Sequence, residues 1–236
     1  MKLVNDIHCY PIFVKENAQE KASPAVLFEI DIMGEGTINL KDTYRPLVRG
    51  KLTIPANDKA QVIGDFTTTN LTKVYCAPGC KYTSVGKGFG SGGSNNESIG
   101  SFELTTVYLP DTIVRIGNNA FQNCRALLEL TLPSKLTSIG QLAFQNCRQW
   151  TLETFPDSLE TIDYNAFQYC YNVNIATLGG ATKGLSAIGS NVFYDACSKV
   201  TNLTLNASLI SIADAAFVRG YQHVTNIYNY TQYTTE

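Results

Sequence analysis

Charge and histidine are both scarce in this sequence, and each scarcity excludes a class of function. Only 16% of the 236 residues are charged, and 18 Lys and Arg stand against 20 Asp and Glu, for a net charge of -2. So small a net charge creates no large field to attract a nucleic acid. The two histidines, His8 and His223, are far apart in the chain and lie beside no obvious nucleophile. We therefore expect no nucleic-acid binding, no metal site, no cofactor and no enzymatic activity.

Long apolar runs are missing as well. No window approaches the roughly 18 to 20 consecutive apolar residues that span a bilayer, so membrane insertion is not expected. The N-terminal sequence MKLVNDIHCYPIFVKENAQEK lacks the apolar core of about 7 to 15 residues that a secretion signal needs. The sequence therefore predicts neither export by that route nor a C-terminal anchor.

A phenylalanine recurs at nearly constant intervals through the C-terminal half. The spacings are 23, 23, 26 and 24 residues, and each ring lies in a similar phrase, from IGNNAFQNC to IADAAFVRG. The five are Phe121, Phe144, Phe167, Phe193 and Phe217. Repeats of this length are typical of a solenoid, in which each coil buries its apolar face against its neighbours.

Each phrase is followed by a short segment of alternating apolar and polar residues, such as LLELTLP, which predicts a strand. Coils that begin at the last apolar residue of each strand all place an equivalent set of side chains inside. These starts are Leu109, Leu132, Phe155, Leu178 and Leu205. The register fails once, because Glu153 takes the inward position of Leu130 and Leu203, with Leu152 one place earlier.

The same frame extends upstream and sets the domain boundaries. Ile54-Pro55 matches Leu109-Pro110, which gives about seven coils in a solenoid of residues 51–236, with a Gly-rich insertion at 90–98. Residues 1–50 do not follow the repeat. Within them AVLFEIDI and GTINLK flank Met33-Gly34-Glu35 and predict a hairpin, so this segment is expected to be a small β-rich cap or an attachment module.

The phrase L-P-x-x-L-x-x-I-G-x-x-A-F-x-x-C-x-x-L resembles the BspA-like branch of the leucine-rich repeats, whose units have about 23 residues. Residues 109–228 match this pattern closely and residues 52–108 match it loosely. The resemblance implies a right-handed solenoid of short parallel strands joined by short helical turns. It also implies a non-enzymatic role in adhesion or protein binding, often as a surface protein of the cell.

Seven cysteines invite a different interpretation, a disulfide ladder or a metal site. Four of them are assigned one repeat position, and Cys76 and Cys80 are assigned two inward positions. The four are Cys124, Cys147, Cys170 and Cys197. Small buried thiols are the favoured interpretation, and Cys9 is left unexplained.

The candidate binding residues form a row. One residue lies between the last two inward positions of each strand, and these side chains are expected to line an exposed sheet face: Tyr75, Tyr108, Thr131, Thr154, Thr177, Thr204 and Tyr228. A second row beside it is Lys73, Thr106, Glu129, Leu152, Ile175, Asn202 and Asn226. Hydroxyls flanked by tyrosines, with apolar Leu152 and Ile175 at mid-face, could hold a protein or a glycan. The alternative is structural, since Thr and Tyr favour strands in any case.

Two functions remain open at this point. The first is a non-enzymatic binding or adhesion module that presents the repeat surface to a protein or glycan. The second is a structural virion component, a decoration or fibre-associated protein of a bacteriophage, docked by residues 1–50 onto other subunits of a larger assembly. Cell-surface localisation follows from the family resemblance, and virion localisation from the second function.

Overall fold

The structure is a computed structural model that describes residues 30–33, 37–40, 50–54, 56, 61–66, 71–77, 79–90 and 101–231. Most of the predicted cap, including His8 and Cys9, and the predicted insertion after Gly90 lie outside the described residues. The cap and the insertion therefore stay predictions.

Sixteen short strands are present in the described part of the chain. They are β1 (Ile30–Met33), β2 (Thr37–Leu40), β3 (Gly50–Ile54), β4 (Val62–Asp65), β5 (Leu71–Cys76), β6 (Ser84–Gly88), β7 (Thr106–Tyr108), β8 (Arg115–Ile116), β9 (Glu129–Leu130), β10 (Ser138–Ile139), β11 (Thr161–Ile162), β12 (Thr177–Leu178), β13 (Ala187–Ile188), β14 (Asn202–Leu205), β15 (Ser211–Ile212) and β16 (Asn226–Asn229). Most coils contribute a strand to each of two sides, because a coil turns back on itself between its strands.

One side of the solenoid is a nine-stranded sheet in the order β1-β2-β4-β6-β8-β10-β11-β13-β15. The other side is divided into a four-stranded sheet, β3-β5-β7-β9, and a three-stranded sheet, β12-β14-β16. Every pairing between these strands is parallel except that of β1 with β2. The predicted solenoid of parallel strands is therefore confirmed.

The upstream coils follow the predicted register. Val85 pairs with Ile116, and Ile116 pairs with Ile139, as their shared position after Thr-Ser or its equivalent predicts. The predicted hairpin is also present, because Met33 is the antiparallel partner of Thr37. β2 then pairs in parallel with β4, so the hairpin adds an antiparallel edge to the nine-stranded sheet.

A column of phenylalanine rings runs through the core. The five rings that mark the repeat stack on one another at centroid distances of 5.2 to 6.0 Å, and four of them are completely buried. Phe89 and Phe66 continue the column upstream at 5.6 and 6.0 Å. These two rings were not predicted, because the phrase Val85-Gly-Lys-Gly-Phe89 is one residue shorter than Ile116-Gly-Asn-Asn-Ala-Phe121, and Ile63-Gly-Asp-Phe66 is two residues shorter. The column supplies the apolar burial that no single coil could provide.

The expected short helical turns are not found in the described coils. From Asn119 to Arg219, each turn has two residues of positive φ four positions apart, such as Asn119 (φ 61°) and Asn123 (φ 63°). Around them, N–H groups alternate between a local carbonyl, as from Gln122 to Asn119, and the next coil, as from Phe121 to Ala143. A helix needs negative φ throughout and keeps its hydrogen bonds to itself. The turns therefore tie neighbouring coils together instead of forming helices.

The thiols of the repeats are buried hydrogen-bond donors. Cys147 Sγ donates to the carbonyl of Phe121 at 3.2 Å, and Cys170 Sγ donates to that of Phe144 at 3.0 Å, both in the preceding coil. The six described cysteines are free, and five of them are buried as the buried-thiol interpretation predicts, whereas Cys76 is half-buried. One detail was wrong, because Ala196 and not Cys197 occupies the position three residues after the phenylalanine. Cys197 is an additional residue with φ of 55°.

Candidate binding surface

Five residues of the predicted row lie in strands of the four-stranded and three-stranded sheets, Thr131 follows β9, and Thr154 lies between the two sheets. We call the outward side of these sheets, with the gap between them, the strand face. In the first sheet Tyr75 is the register partner of Tyr108. In the second, Thr177 pairs with Thr204, and Thr204 pairs with Tyr228. Tyr108, Thr131, Thr154, Thr177 and Tyr228 are exposed, whereas Tyr75 and Thr204 are half-buried.

An aromatic pair dominates the first half of the strand face. The rings of Tyr75 and Tyr108 stack with centroids 4.9 Å apart and planes at 20°, and Tyr108 is 51% exposed. The Tyr108 hydroxyl donates to Glu129 Oε2 at 3.4 Å, and Thr106 Oγ1 donates to the same oxygen at 3.3 Å. The negative charge of Glu129 raises the pKa of the Tyr108 phenol above its ordinary value. This half therefore presents a neutral tyrosine beside a carboxylate, which suits a partner with apolar and hydrogen-bonding groups.

The second predicted row is corrected in the middle of the strand face. Ile175 is completely buried and Leu152 packs against the core, so neither forms an apolar patch on the surface. Between Ile175 and the buried Leu178, both Ala176 and Thr177 are exposed. Two outward residues in succession shift the alternation by one place, which is the effect of a bulge.

The strand face is interrupted where this shift occurs. After β9 the only strand contact is a single parallel bridge between Leu152 and Val173, and the ladder resumes at β12. Trp150 lies at this break, in the inward position that Leu127 holds one coil earlier, and its indole is completely buried. The indole packs against Phe144 with ring centroids 4.6 Å apart and planes tilted by 33°, and its Nε1–H donates to the carbonyl of Leu130 at 3.0 Å. By the 23-residue register, that carbonyl would otherwise accept from the next strand.

A groove of about 780 Å³ opens on the strand face beside the break. It extends over three successive coils and includes the predicted binding residues Thr154 and Thr177. Its lining residues are Thr151, Glu153, Thr154, Phe155, Pro156, Asp157, Asn172, Asn174, Ala176, Thr177, Gly179, Gly180, Lys183, Gly184, Leu185, Lys199, Val200, Thr201 and Asn202. The lining combines hydroxyls, amides and charges of both signs with few apolar side chains.

One wall of the groove is the loop of residues 179–184. Gly179 and Gly184 have φ of 80° and 110°, values that favour glycine. A Cβ on Gly180 would lie 2.0 Å from the carbonyl oxygen of Lys183, so this position also requires glycine. Ser208 fixes the loop, since its hydroxyl accepts from the Gly180 N–H at 2.7 Å. This loop accounts for the longer spacing of 26 residues between Phe167 and Phe193.

The side of the groove away from this loop is lined by Lys199, Asn172 and Asn174. Lys199 N–H donates to Asn174 Oδ1 at 3.0 Å, and Lys199 Nζ donates to Asn172 Oδ1 at 3.4 Å. Asn172 Nδ2 in turn donates to the carbonyl of Arg148 at 3.1 Å. These bonds hold the amide side chains in fixed positions before any partner arrives.

A sequence model of the protein family described as BspA type leucine-rich repeat region matches residues 95–228 of the chain in six copies. The chain belongs to the BspA-type leucine-rich repeat family. The matched region contains the break, the groove and most of the strand face. No curated protein sequence matches the chain significantly.

Two solved structures of bacterial leucine-rich repeat proteins share this fold. The T. pallidum leucine-rich repeat protein TpLRR is similar with a TM-score of 0.62 and 21% identity, over 86% of this chain and 91% of that one. A leucine-rich repeat protein from Bacteroides ovatus gives 0.62 and 22%, over 87% of this chain. Our chain spans 53% of the Bacteroides ovatus protein. At these identities the likeness shows the fold alone.

The described residues form neither a metal-binding cluster nor a helix that could cross a membrane. No group of three or more His, Cys, Asp and Glu in that part of the chain is arranged to hold a metal ion. Within the same limits, no helix has the length and apolar character to cross a membrane. Burial raises the pKa of the Cys124 thiol to about 12, and that of Cys197 to about 11, so both are protonated and poorly nucleophilic near neutral pH.

Sequence reasoning missed most of the groove. It identified Thr154 and Thr177 but not Glu153, Lys183 or Lys199, which line the same space. Two signals were available: the long spacing before Phe193, with its sequence GGATKG, and a single tryptophan at a position otherwise held by Leu or Val. Neither signal specifies a groove without the register of three adjacent coils.

Proposed function

We propose that the protein is a non-enzymatic binding module that holds a protein partner on the strand face. Family membership supports this proposal, because solenoids of this type offer an extended regular surface to partners. The observation on which it chiefly depends is the stacked pair of Tyr75 and Tyr108, with Tyr108 half exposed beside Glu129. Tyrosines held rigid on an otherwise polar surface are enriched among the residues that dominate binding energy.

A protein is favoured over a glycan as the partner. Each of the two tyrosines uses one face of its ring to stack on the other, and the Tyr108 hydroxyl donates a hydrogen bond to Glu129. The rest of the row is four threonines and Tyr228, and Thr177 and Thr204 lie on adjacent strands, so this part of the surface bears hydroxyls. Such a surface suits shape complementarity with a folded or extended polypeptide.

Adhesion at the cell surface is the setting that we infer for this binding. The family resemblance supports it, and the virion role of residues 1–50 is the alternative. Immunolabelling of washed cells, together with density-gradient fractions of particles from the medium, distinguishes these settings. Label on intact cells supports adhesion, and label that bands with particles supports the virion role.

The binding function is tested by immobilising the full chain and recovering the proteins that it retains from secreted and cell-surface fractions of its native source. A partner retained by the natural chain should bind a Tyr108→Ala variant at least about tenfold more weakly. Tyr164→Ala is the matched control, because Tyr164 is an exposed tyrosine in a turn away from the strand face. Equal binding by both variants would contradict the proposal.

A further inference from the structure

The groove contains main-chain groups that the solenoid itself does not use. Beyond the bridge of Leu152 with Val173, no hydrogen bond within the described chain involves the main chain of residues 153–155. One coil later β12 and β14 are joined by main-chain hydrogen bonds. Thr204 N–H donates to the carbonyl of Ala176 at 2.9 Å, and Asn206 N–H donates to that of Leu178 at 2.8 Å. Glu153 and Thr154 are exposed. A segment whose N–H and C=O groups make no hydrogen bond to the described chain thus lies in the middle of the strand face.

Open strand backbone is a template for another strand. A peptide that adds to such a strand gains main-chain hydrogen bonds, and its alternate side chains then select the sequence. The facing side of the groove suits this use, because Ala176, Gly179 and Gly180 are small and let a main chain approach closely. The volume of about 780 Å³ is within the usual range of roughly 300 to 1,000 Å³ for ligand sites.

The side chains of the groove favour a peptide over the other ligand classes. Glu153 and Asp157 carry negative charges and Lys183 and Lys199 carry positive ones, so the lining suits neither a polyanion nor a polycation. Phe155 is the only aromatic lining residue, and its ring packs on Phe167 and Phe193 at 5.5 and 6.4 Å. The groove therefore has no free aromatic platform on which a sugar ring could stack.

We propose that this groove binds an extended segment of the protein partner, by pairing the segment's main chain with the open backbone of residues 153–155. The inference rests on the proposed function, since it states how the same surface holds its partner. Thr151 and Thr177 border the bound segment, and the charged residues select its side chains by sign. Tyr75 and Tyr108 lie at least two coils away and form a separate contact.

The test begins with a phage-displayed library of random linear peptides, selected on the full chain. Peptides that also bind Thr154→Arg are removed, because an arginine there fills the groove. Thr161→Arg is the matched control: Thr161 is an exposed threonine of β11 in the nine-stranded sheet, outside both the strand face and the groove. Thr177→Arg is a second groove variant. Urea unfolding confirms that all three variants are folded.

Selected peptides are then titrated calorimetrically into each variant. We expect Thr154→Arg and Thr177→Arg to weaken binding at least about tenfold and Thr161→Arg to leave it unchanged. Replacing alternate amides of the peptide by esters removes one main-chain donor each, and should weaken binding by about two- to tenfold per position on one side of the peptide. Esters at the intervening positions should have little effect.

Three results would overturn the inference. The first is that no peptide depends on Thr154, and the second is that ester replacement has no effect at any position. The third is that a soluble glycan panel yields a ligand abolished by Thr154→Arg, which would make the groove a saccharide site. None of these bears on Tyr108→Ala, so failure here is distinguishable from failure of the proposed function.

Discussion

The indole N–H of Trp150 donates a hydrogen bond to the main-chain carbonyl of Leu130, at 3.0 Å. This one contact replaces a strand-to-strand hydrogen bond, because Leu130 ends β9 and the following coil contributes no strand to that sheet. The bond keeps a buried carbonyl satisfied although the ladder stops, which limits the cost of the break. A single large side chain in the core thus lies where the strand face divides into two sheets.

Removing the Trp150 side chain should destabilise the solenoid strongly. Trp150→Ala leaves a cavity against Phe144 and Phe167 and should lower the free energy of unfolding by about 3 to 5 kcal/mol. Trp150→Phe keeps a ring but loses the donor, and should cost less than the alanine variant. Urea unfolding followed by circular dichroism measures both, with Tyr164→Ala as a control expected within about 0.5 kcal/mol. A loss for Trp150→Ala no larger than the control's would show that the indole does not support the break.

Alkaline pH should destabilise the protein through its buried thiols. Burial raises the pKa of the Cys124 thiol from 9.0 to about 12, and it raises those of Cys147 and Cys170 as well. Between the two values the unfolded thiol has lost its proton and the folded thiol has kept it. The unfolded state then binds fewer protons, so stability falls as pH rises and is unaffected well below pH 9.0.

The measurement is urea unfolding at a series of pH values from about 8 to about 10.5. Each buried thiol should contribute up to about 1.4 kcal/mol per pH unit. Cys124→Ala removes one buried thiol, so the fall of the free energy of unfolding with pH should become shallower by up to about 1.4 kcal/mol per pH unit. Tyr221→Phe removes a buried phenol whose pKa is also raised, and so separates its contribution above pH 10.0 from that of the thiols. A free energy of unfolding that is flat over this range would contradict the burial of the thiols.

Positive φ at Ala215 predicts a stabilising substitution. Ala215 has φ of 62° at the position that Asn119, Asn165 and Asn191 hold in other coils. A Cβ is unfavourable in this conformation, so Ala215→Gly should raise the free energy of unfolding by about 0.5 to 1 kcal/mol. Ala207→Gly is the control, because its φ is not positive and the extra chain freedom should destabilise the fold. Equal effects of the two substitutions would mean that φ at Ala215 is not strained.

The solenoid could be predicted from the sequence because its determinants repeat. A phenylalanine every 23 residues, followed by an alternating segment, specifies both the core column and the position of each strand. The register of Tyr75 with Tyr108 follows from the same frame. Equivalent positions of successive repeats lie side by side in the solenoid, so a correct register for one coil predicts the register of the neighbouring coils.

The groove could not be predicted because it arises where the repeat fails. The sequence shows Glu153 in an inward position but does not tell whether the chain bulges or the partner strand separates. At this point Trp150 bonds Leu130 in the preceding coil, a contact between coils that periodicity does not encode. The helical turns were wrong for a similar reason, since residues such as Leu142 and Ala215 adopt positive φ under the hydrogen bonds of adjacent coils.

Photo-crosslinking from the two sides of the solenoid tests most directly whether the strand face is the binding surface. A photoreactive benzoylphenylalanine is placed at Thr131 on the strand face, or at Thr161, an exposed threonine of β11 in the nine-stranded sheet. Each variant is irradiated with the recovered partner. We predict that crosslinks form from Thr131 and not from Thr161. Crosslinks from Thr161 alone would place the partner on the opposite sheet and contradict the account.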